Sequence, residues 1–147
     1  MTISSEMNLL PAIASPAGEK VSPNPAVAAY FETLNAGNTI ATSQLFAIDG
    51  ILYPPFEDPI IGRGAIACYL EQEAQDLLLQ PQSTTVQTLE NGCTEYQVLG
   101  SVQTPLFSVN VEWQFILSPD EEIFVARIRL LASLRKLLHL RQQMHSV

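Results

Sequence analysis

Basic residues are scarce in this chain. Seven Lys and Arg stand against fifteen Asp and Glu, a formal net charge of −8. A surface of that sign repels a phosphate backbone, which excludes nucleic acid as a partner. Histidine occurs only as His139 and His145, and cysteine only as Cys68 and Cys93, none of them grouped at metal-ligand spacing. Neither a disulfide framework nor a metal site is therefore expected, and a reducing cytoplasm is. No apolar run approaches the roughly 18 residues that span a bilayer, and no basic stretch precedes an apolar one at the N-terminus, so no secretory signal is expected. Only 15% of residues are charged while 47% are hydrophobic. At 147 residues, that composition describes one globular domain with a sizeable core, plus a tail.

Tryptophan occurs once, and the stretch around it organises the rest. From Val109 the residues alternate: Val109, Val111, Trp113, Phe115 and Leu117 point one way, Asn110, Glu112 and Gln114 the other. Period two over this length is a half-buried β-strand. Trp113 then sits mid-strand on an apolar face with an indole N–H that needs a partner. This face is expected to line a pocket in which a ligand oxygen accepts from Trp113.

In chain order, residues 1–24 are rich in Ser, Ala and Pro and read as a mobile arm. Residues 25–132 read as the folded domain and 133–147 as an amphipathic helical tail. Asn24-Pro25 opens a first helix, with Val27, Tyr30, Phe31 and Leu34 on one face. Pattern alone leaves Tyr30 open between a core tyrosine bonded to a backbone carbonyl and a hydroxyl aimed into a cavity. A second helix is predicted from Thr39 to Ala47, a turn at Asp49-Gly50, a short strand at Ile51–Tyr53 stopped by Pro54-Pro55, and a third helix from Gly64 to Leu79. Strands follow at Ser83–Leu89, Thr94–Val102, Ser108–Leu117 and Glu122–Leu131, with a hairpin at Asn91-Gly92. Ser133 caps a final helix to Met144. All acidic residues lie at or before Glu122, and five of the seven basic ones follow it. Helix-dipole complementarity explains this, and so does a detachable regulatory tail.

Catalytic chemistry finds little support. Asp49 and Tyr30 are the only acid–base candidates, and Asp49 reads better as a turn residue. Both histidines lie in the terminal helix, so no acid–base pair emerges. A colourless dimerisation module remains a third reading. Cys93, beside the hairpin turn, is a candidate for an intermolecular disulfide controlling a dimer.

Two helices, a short strand, a third helix and a four-strand meander suggest an α+β fold, the nuclear transport factor 2-like cone: a curved antiparallel sheet wrapped around three helices, plus a C-terminal helix. From Ala26 to about Leu138 the chain resembles the C-terminal domain of the cyanobacterial orange carotenoid protein family, and still more its free-standing homologues. The resemblance is carried by Tyr30 to Asn35, Leu45 to Gly50, Tyr53-Pro54-Pro55-Phe56 with Ile60-Ile61-Gly62, Glu71 to Gln75, Gln103-Thr104-Pro105, Val109 to Leu117, and Ile128 to Ser133. It implies a ketocarotenoid (canthaxanthin, echinenone or 3'-hydroxyechinenone) whose keto oxygen accepts hydrogen bonds from Tyr30 and Trp113. It also implies a pocket wall of Leu34, Phe46, Leu77, Leu79, Pro105, Leu106 and Ile128, and no metal.

The implied function is a non-enzymatic carrier that takes up, stores and delivers carotenoid and quenches singlet oxygen. It would sit in the cytoplasm near thylakoid membranes, with transient membrane contact. A domain of this size has a radius of gyration of about 14 Å, too small to cover a carotenoid. A homodimer sharing one pigment is therefore expected, with a helical carotenoid protein or apo orange carotenoid protein as transfer partner. Three positions depart from the family pattern: Leu106 replaces a tryptophan, Arg129 an acid or lysine, and Leu134 a proline. The alternative is an isomerase- or dehydratase-type enzyme of the same fold.

Overall fold

A computed structural model describes residues 19–20, 24–131 and 142. The first helix, α1 (Pro25–Asn35), starts where its sequence signals place it. The Asn24 side chain accepts from the Ala26 N–H at 2.7 Å and Pro25 takes the first turn, where no donor is needed. Val27, Tyr30, Phe31 and Leu34 form its buried face. Helix α2 is shorter than expected, Thr39–Ser43, because Phe46 and Ala47 belong to the next strand. A hydroxyl pair, Thr33 to Thr42 at 2.6 Å, ties it to α1.

Among the described residues seven strands form one mixed sheet: β1 (Glu19–Lys20), β2 (Phe46–Tyr53), β3 (Ile60–Ile61), β4 (Leu78–Thr88), β5 (Thr94–Gln103), β6 (Ser108–Leu117) and β7 (Ile123–Leu130). Their order is β1-β4-β5-β6-β7-β2-β3. The meander from β4 to β7 is antiparallel, but β2 runs parallel to β7, which corrects the expectation of an antiparallel sheet throughout. Asp49-Gly50, expected as a turn, lies inside β2. There the strand advances from Phe46 to Ile51 while β7 advances only from Ile123 to Val125. This is a bulge of the kind that bends a strand. Gly50 permits it, since a Cβ there would lie 2.8 Å from the Ile123 carbonyl oxygen.

Helix α3 is Arg63–Glu73, ending six residues before the predicted Leu79. Apolar spacing continues through Leu77, but Leu78 and Leu79 pair with β5 instead. The Asn35 side chain fixes this outcome: it donates to the Leu79 carbonyl at 2.9 Å and accepts from the Leu79 N–H at 2.8 Å. Pro81 faces Gly100 across β4 and β5, and a register shift follows it. A side chain at Gly100 would strike the Gln80 carbonyl, so this close approach requires glycine.

The helices cover one sheet face, where Val98, Val111, Trp113, Phe115, Leu117, Ile123 and Ala126 are buried with α1 and α3 residues in a single core. The alternation read from the sequence holds along all of β6. The arm lies outside the described residues apart from Glu19–Lys20, whose backbone pairs with Val86 and Thr85, and Asn24. The predicted final helix, with His139 and His145, also lies outside them, Gln142 excepted.

Candidate functional site

The strand ends and helices leave a cavity of about 120 Å³ against the inner face of β6. Its walls are overwhelmingly aliphatic and aromatic. Tyr30 comes from the buried face of α1, and Trp113 from mid-β6, where it pairs in register with Val98 and Ile128. Both are almost wholly buried, at 2% and 1% exposure. An aromatic clamp fixes their rings. Phe31 meets Trp113 edge-on at 4.8 Å, and Phe115 meets Tyr30 edge-on at 5.0 Å. These T-shaped contacts leave little freedom in where the two polar atoms lie.

The Tyr30 hydroxyl and the Trp113 indole N–H have no hydrogen-bond partner among the described residues, though both residues line the cavity. A buried donor without a partner costs about 1–3 kcal/mol, and native proteins rarely leave one so. Burial pushes the Tyr30 phenol well above its ordinary value, so it keeps its proton as a donor at neutral pH. Two fixed, protonated donors in an apolar cavity suit a neutral acceptor oxygen on an otherwise hydrophobic molecule.

Of the predicted wall residues, Leu34, Leu77, Leu79 and Ile128 line the cavity. Phe46 does not. It is fully buried behind Tyr30, at 6.4 Å between ring centroids, because the β2 bulge turns it into the core. Pro105 and Leu106 are also displaced: both are exposed, Leu106 by 67%. The 104–107 turn explains this. Thr104 Oγ1 accepts from the N–H groups of Leu106 and Phe107 at 3.1 and 3.0 Å, directing Leu106 outward, while Thr104 and Phe107 line the cavity.

The mouth holds residues that sequence reasoning missed. Leu52, Pro54 and Pro55, at the end of β2, close one side; in the sequence the proline pair signals a strand stop and belongs to a stretch that carries the resemblance, with no pocket role assigned to it. Tyr69 on α3 donates to Glu57 Oε2 at 3.0 Å, and both line the cavity, as does Glu73. Burial, then the hydrogen bond and charge of Glu57, raise the Tyr69 phenol. Beyond the mouth a shallower groove of about 360 Å³ shares Pro54, Pro55, Ile128 and Leu130 with the cavity. Arg127 lies over the Tyr53 ring there, 4.4 Å from its centroid.

Other candidates lie elsewhere. Asp49 is exposed on β2 and is not a lining residue. Cys93 is buried, since its hairpin folds the thiol inward, so its sulfur is not presented to a second molecule; Cys68 is the exposed cysteine. Among the described residues no group of His, Cys, Asp or Glu could hold a metal ion, and no helix is long and apolar enough to cross a membrane.

Comparison with known proteins gives the site a context. No protein-family model matches the chain. An orange carotenoid-binding protein of Synechocystis sp. is 38% identical over 120 residues, covering 79% of this chain and 38% of that protein. The structure of the Anabaena (Nostoc) sp. orange carotenoid protein binding canthaxanthin matches with a TM-score of 0.73 at 38% identity, covering 80% of this chain and 40% of that one. This chain thus spans about two fifths of the length of the orange carotenoid proteins it matches. A nuclear transport factor 2-like protein from Cytophaga hutchinsonii matches at TM-score 0.59 and 12% identity, over 77% of this chain and 91% of that one. The fold is α+β of the nuclear transport factor 2-like kind.

Proposed function

We propose, on the premise that this chain is homologous to part of the orange carotenoid proteins, that its cavity holds the ring end of a ketocarotenoid. The observation that carries this reading is the pair of buried donors, Tyr30 and Trp113, that have no partner among the described residues and belong to residues lining one apolar cavity. A conjugated ring ketone supplies the missing acceptor for both. Each hydrogen bond is worth about 1 kcal/mol net. Burial of hydrocarbon, at roughly 25 cal/mol per Å², contributes more. The wall residues Leu34, Leu77, Leu79 and Ile128 therefore supply affinity, while Tyr30 and Trp113 fix the ring's position and polarise its carbonyl. The bound pigment supplies the colour and the capacity to quench singlet oxygen.

The cavity is smaller than the roughly 300–1,000 Å³ that encloses a drug-sized ligand, so it takes the ring and not the polyene. The contiguous groove at Pro54, Pro55, Ile128 and Leu130 offers the emerging chain an apolar track. A second copy covering the far end gives a homodimer sharing one pigment. The protein acts as a carrier in the cytoplasm, storing carotenoid and delivering it to a helical carotenoid protein or apo orange carotenoid protein, in transient contact with thylakoid membranes. Canthaxanthin, echinenone and 3'-hydroxyechinenone all carry the required ketone.

We propose that it is not an enzyme. Neither deep donor is hydrogen-bonded to a carboxylate or imidazole among the described residues, and the carboxylates that line the cavity are Glu57, bonded to Tyr69, and Glu73. The test is an absorption spectrum of the protein purified from canthaxanthin-producing cells, alongside Tyr30→Phe and Trp113→Phe. A broad red-shifted band that moves in both variants is expected. A colourless protein that takes no pigment from canthaxanthin-loaded liposomes would overturn the reading. Chromatography of pigmented protein at monomer mass would overturn the dimer.

A further inference from the structure

The cavity mouth carries another hydroxyl, and its proton is already committed. Tyr69 Oη donates to Glu57 Oε2 at 3.0 Å. A phenol has one proton and a carboxylate has none. Toward the cavity Tyr69 therefore offers lone pairs only, and the second oxygen of Glu57 likewise only accepts. The deep end has the opposite polarity, since Tyr30 Oη and Trp113 Nε1 each hold a proton with no acceptor among the described residues. Tyr30, Trp113, Tyr69 and Glu57 line one cavity of about 120 Å³. Donors deep and acceptors at the mouth thus belong to a single small cavity.

We infer that the site is built for an end ring bearing a ketone and a hydroxyl on the neighbouring carbon, the ketone accepting from Tyr30 and Trp113 and the hydroxyl donating to the Tyr69–Glu57 pair. This rests on the carotenoid reading above and names the end group that reading left open. A ring with the ketone alone leaves the mouth acceptors to water. A ring with the hydroxyl alone leaves the two deep donors unmet, which is the costlier failure because they are buried. The ketone is therefore required, and the hydroxyl sets preference.

The test is a competition. Wild-type protein is incubated with phosphatidylcholine liposomes holding equal astaxanthin, whose rings carry ketone and adjacent hydroxyl, and canthaxanthin, whose rings carry the ketone alone. Bound pigment is extracted and quantified by chromatography. A preference for astaxanthin of about fivefold is expected, the factor one hydrogen bond gives. Tyr69→Phe should reduce it, and the double variant Tyr69→Phe with Glu57→Leu should abolish it. Glu57→Leu, at an exposed loop position, removes one acceptor and leaves Tyr69 with a hydroxyl that can still accept or donate, so the preference should fall without reversing. Equal uptake of both pigments by the wild type overturns the inference and leaves the carotenoid reading standing; uptake of neither overturns both. Preference retained in the double variant Tyr69→Phe, Glu57→Leu also overturns it. The wild-type ratio decides by itself if a variant fails to fold.

Discussion

On the outer face of β6, Arg129 donates to Glu112 at 2.6 Å, Gln114 donates to Glu95 at 2.7 Å, and Arg127 donates to Gln114 at 3.1 Å. Between Glu112 and Gln114, Trp113 turns inward, and its N–H meets no acceptor among the described residues. Glu112 and Gln114 on the outer face are partnered. Tyr30 Oη and Trp113 Nε1, on residues that line the cavity, have no partner among the described residues, although burial makes that expensive. Folding alone would select the reverse. On the carotenoid reading proposed above, a ligand acceptor is what these donors lack. The edge-on packing of Phe31 against Trp113 and Phe115 is a stabilising contribution on the same face.

The hardest way to break the contrast is to empty the inner face. Trp113→Ala removes a side chain that is 1% exposed and packed edge-on by Phe31. Loss of about 3–5 kcal/mol of unfolding free energy is expected, read from urea denaturation of the pigment-free protein. A loss below about 1 kcal/mol would mean the indole is not part of the core.

A gentler change should separate folding from binding. Tyr30→Phe keeps the ring and its contacts but deletes a buried hydroxyl that has no partner among the described residues. The pigment-free variant should be as stable as the wild type, or more so by about 1 kcal/mol, while its carotenoid affinity falls. A destabilised pigment-free variant would show that the hydroxyl has a partner, and the site would lose one donor. Alkaline pH tests the same group. Burial raises the Tyr30 phenol in the folded state, whereas the unfolded phenol titrates near its ordinary value of about 10. Above that pH the folded state keeps a proton that the unfolded state releases. The stability contribution is thus complete below about pH 10 and declines as pH climbs, by up to about 1.4 kcal/mol per pH unit for one such group. Tyr69 shifts the same way, more weakly felt because it is partly exposed. Tyr30→Phe should flatten the alkaline loss without abolishing it. Parallel curves for variant and wild type would show that Tyr30 ionises freely.

How far the sequence reveals this arrangement depends on the range of the interactions involved. The alternation around Trp113 and the i, i+3, i+4, i+7 face of α1 are local patterns, and both elements form where those patterns place them, with Tyr30 and Trp113 buried. Phe46 reads as helical because Thr39 to Ala47 has no local breaker, yet pairing with Ile123 draws it into β2. Leu78 and Leu79 continue the helical spacing of α3, and only Asn35, 44 residues from Leu79, reveals that they are strand. The resemblance places Leu106 in the wall at a family tryptophan position, but the Thr104 hydroxyl turns it outward. The Tyr69–Glu57 pair has no sequence signal, since twelve residues separate a helix position from a loop position that the fold alone brings together.

The smallest effect belongs to the outer face. Arg129→Ala removes an ion pair with good geometry at 2.6 Å, but the arginine side chain is 64% exposed. Solvent-exposed pairs contribute about 0.2–1 kcal/mol, reduced by salt. A loss in that range is expected, declining toward zero as salt is raised, with pigment uptake unchanged in ratio between astaxanthin and canthaxanthin. Glu112 is less exposed, at 12%, so Glu112→Ala, which leaves an exposed arginine free to meet water, should cost no more than Arg129→Ala, which leaves a largely buried carboxylate without its partner. If Arg129→Ala instead cost as much as Trp113→Ala, the outer network would be structural, and the division of labour between the two faces of β6 would fail. If it altered the pigment ratio, the influence of that network would extend across the sheet to the donors on the other side.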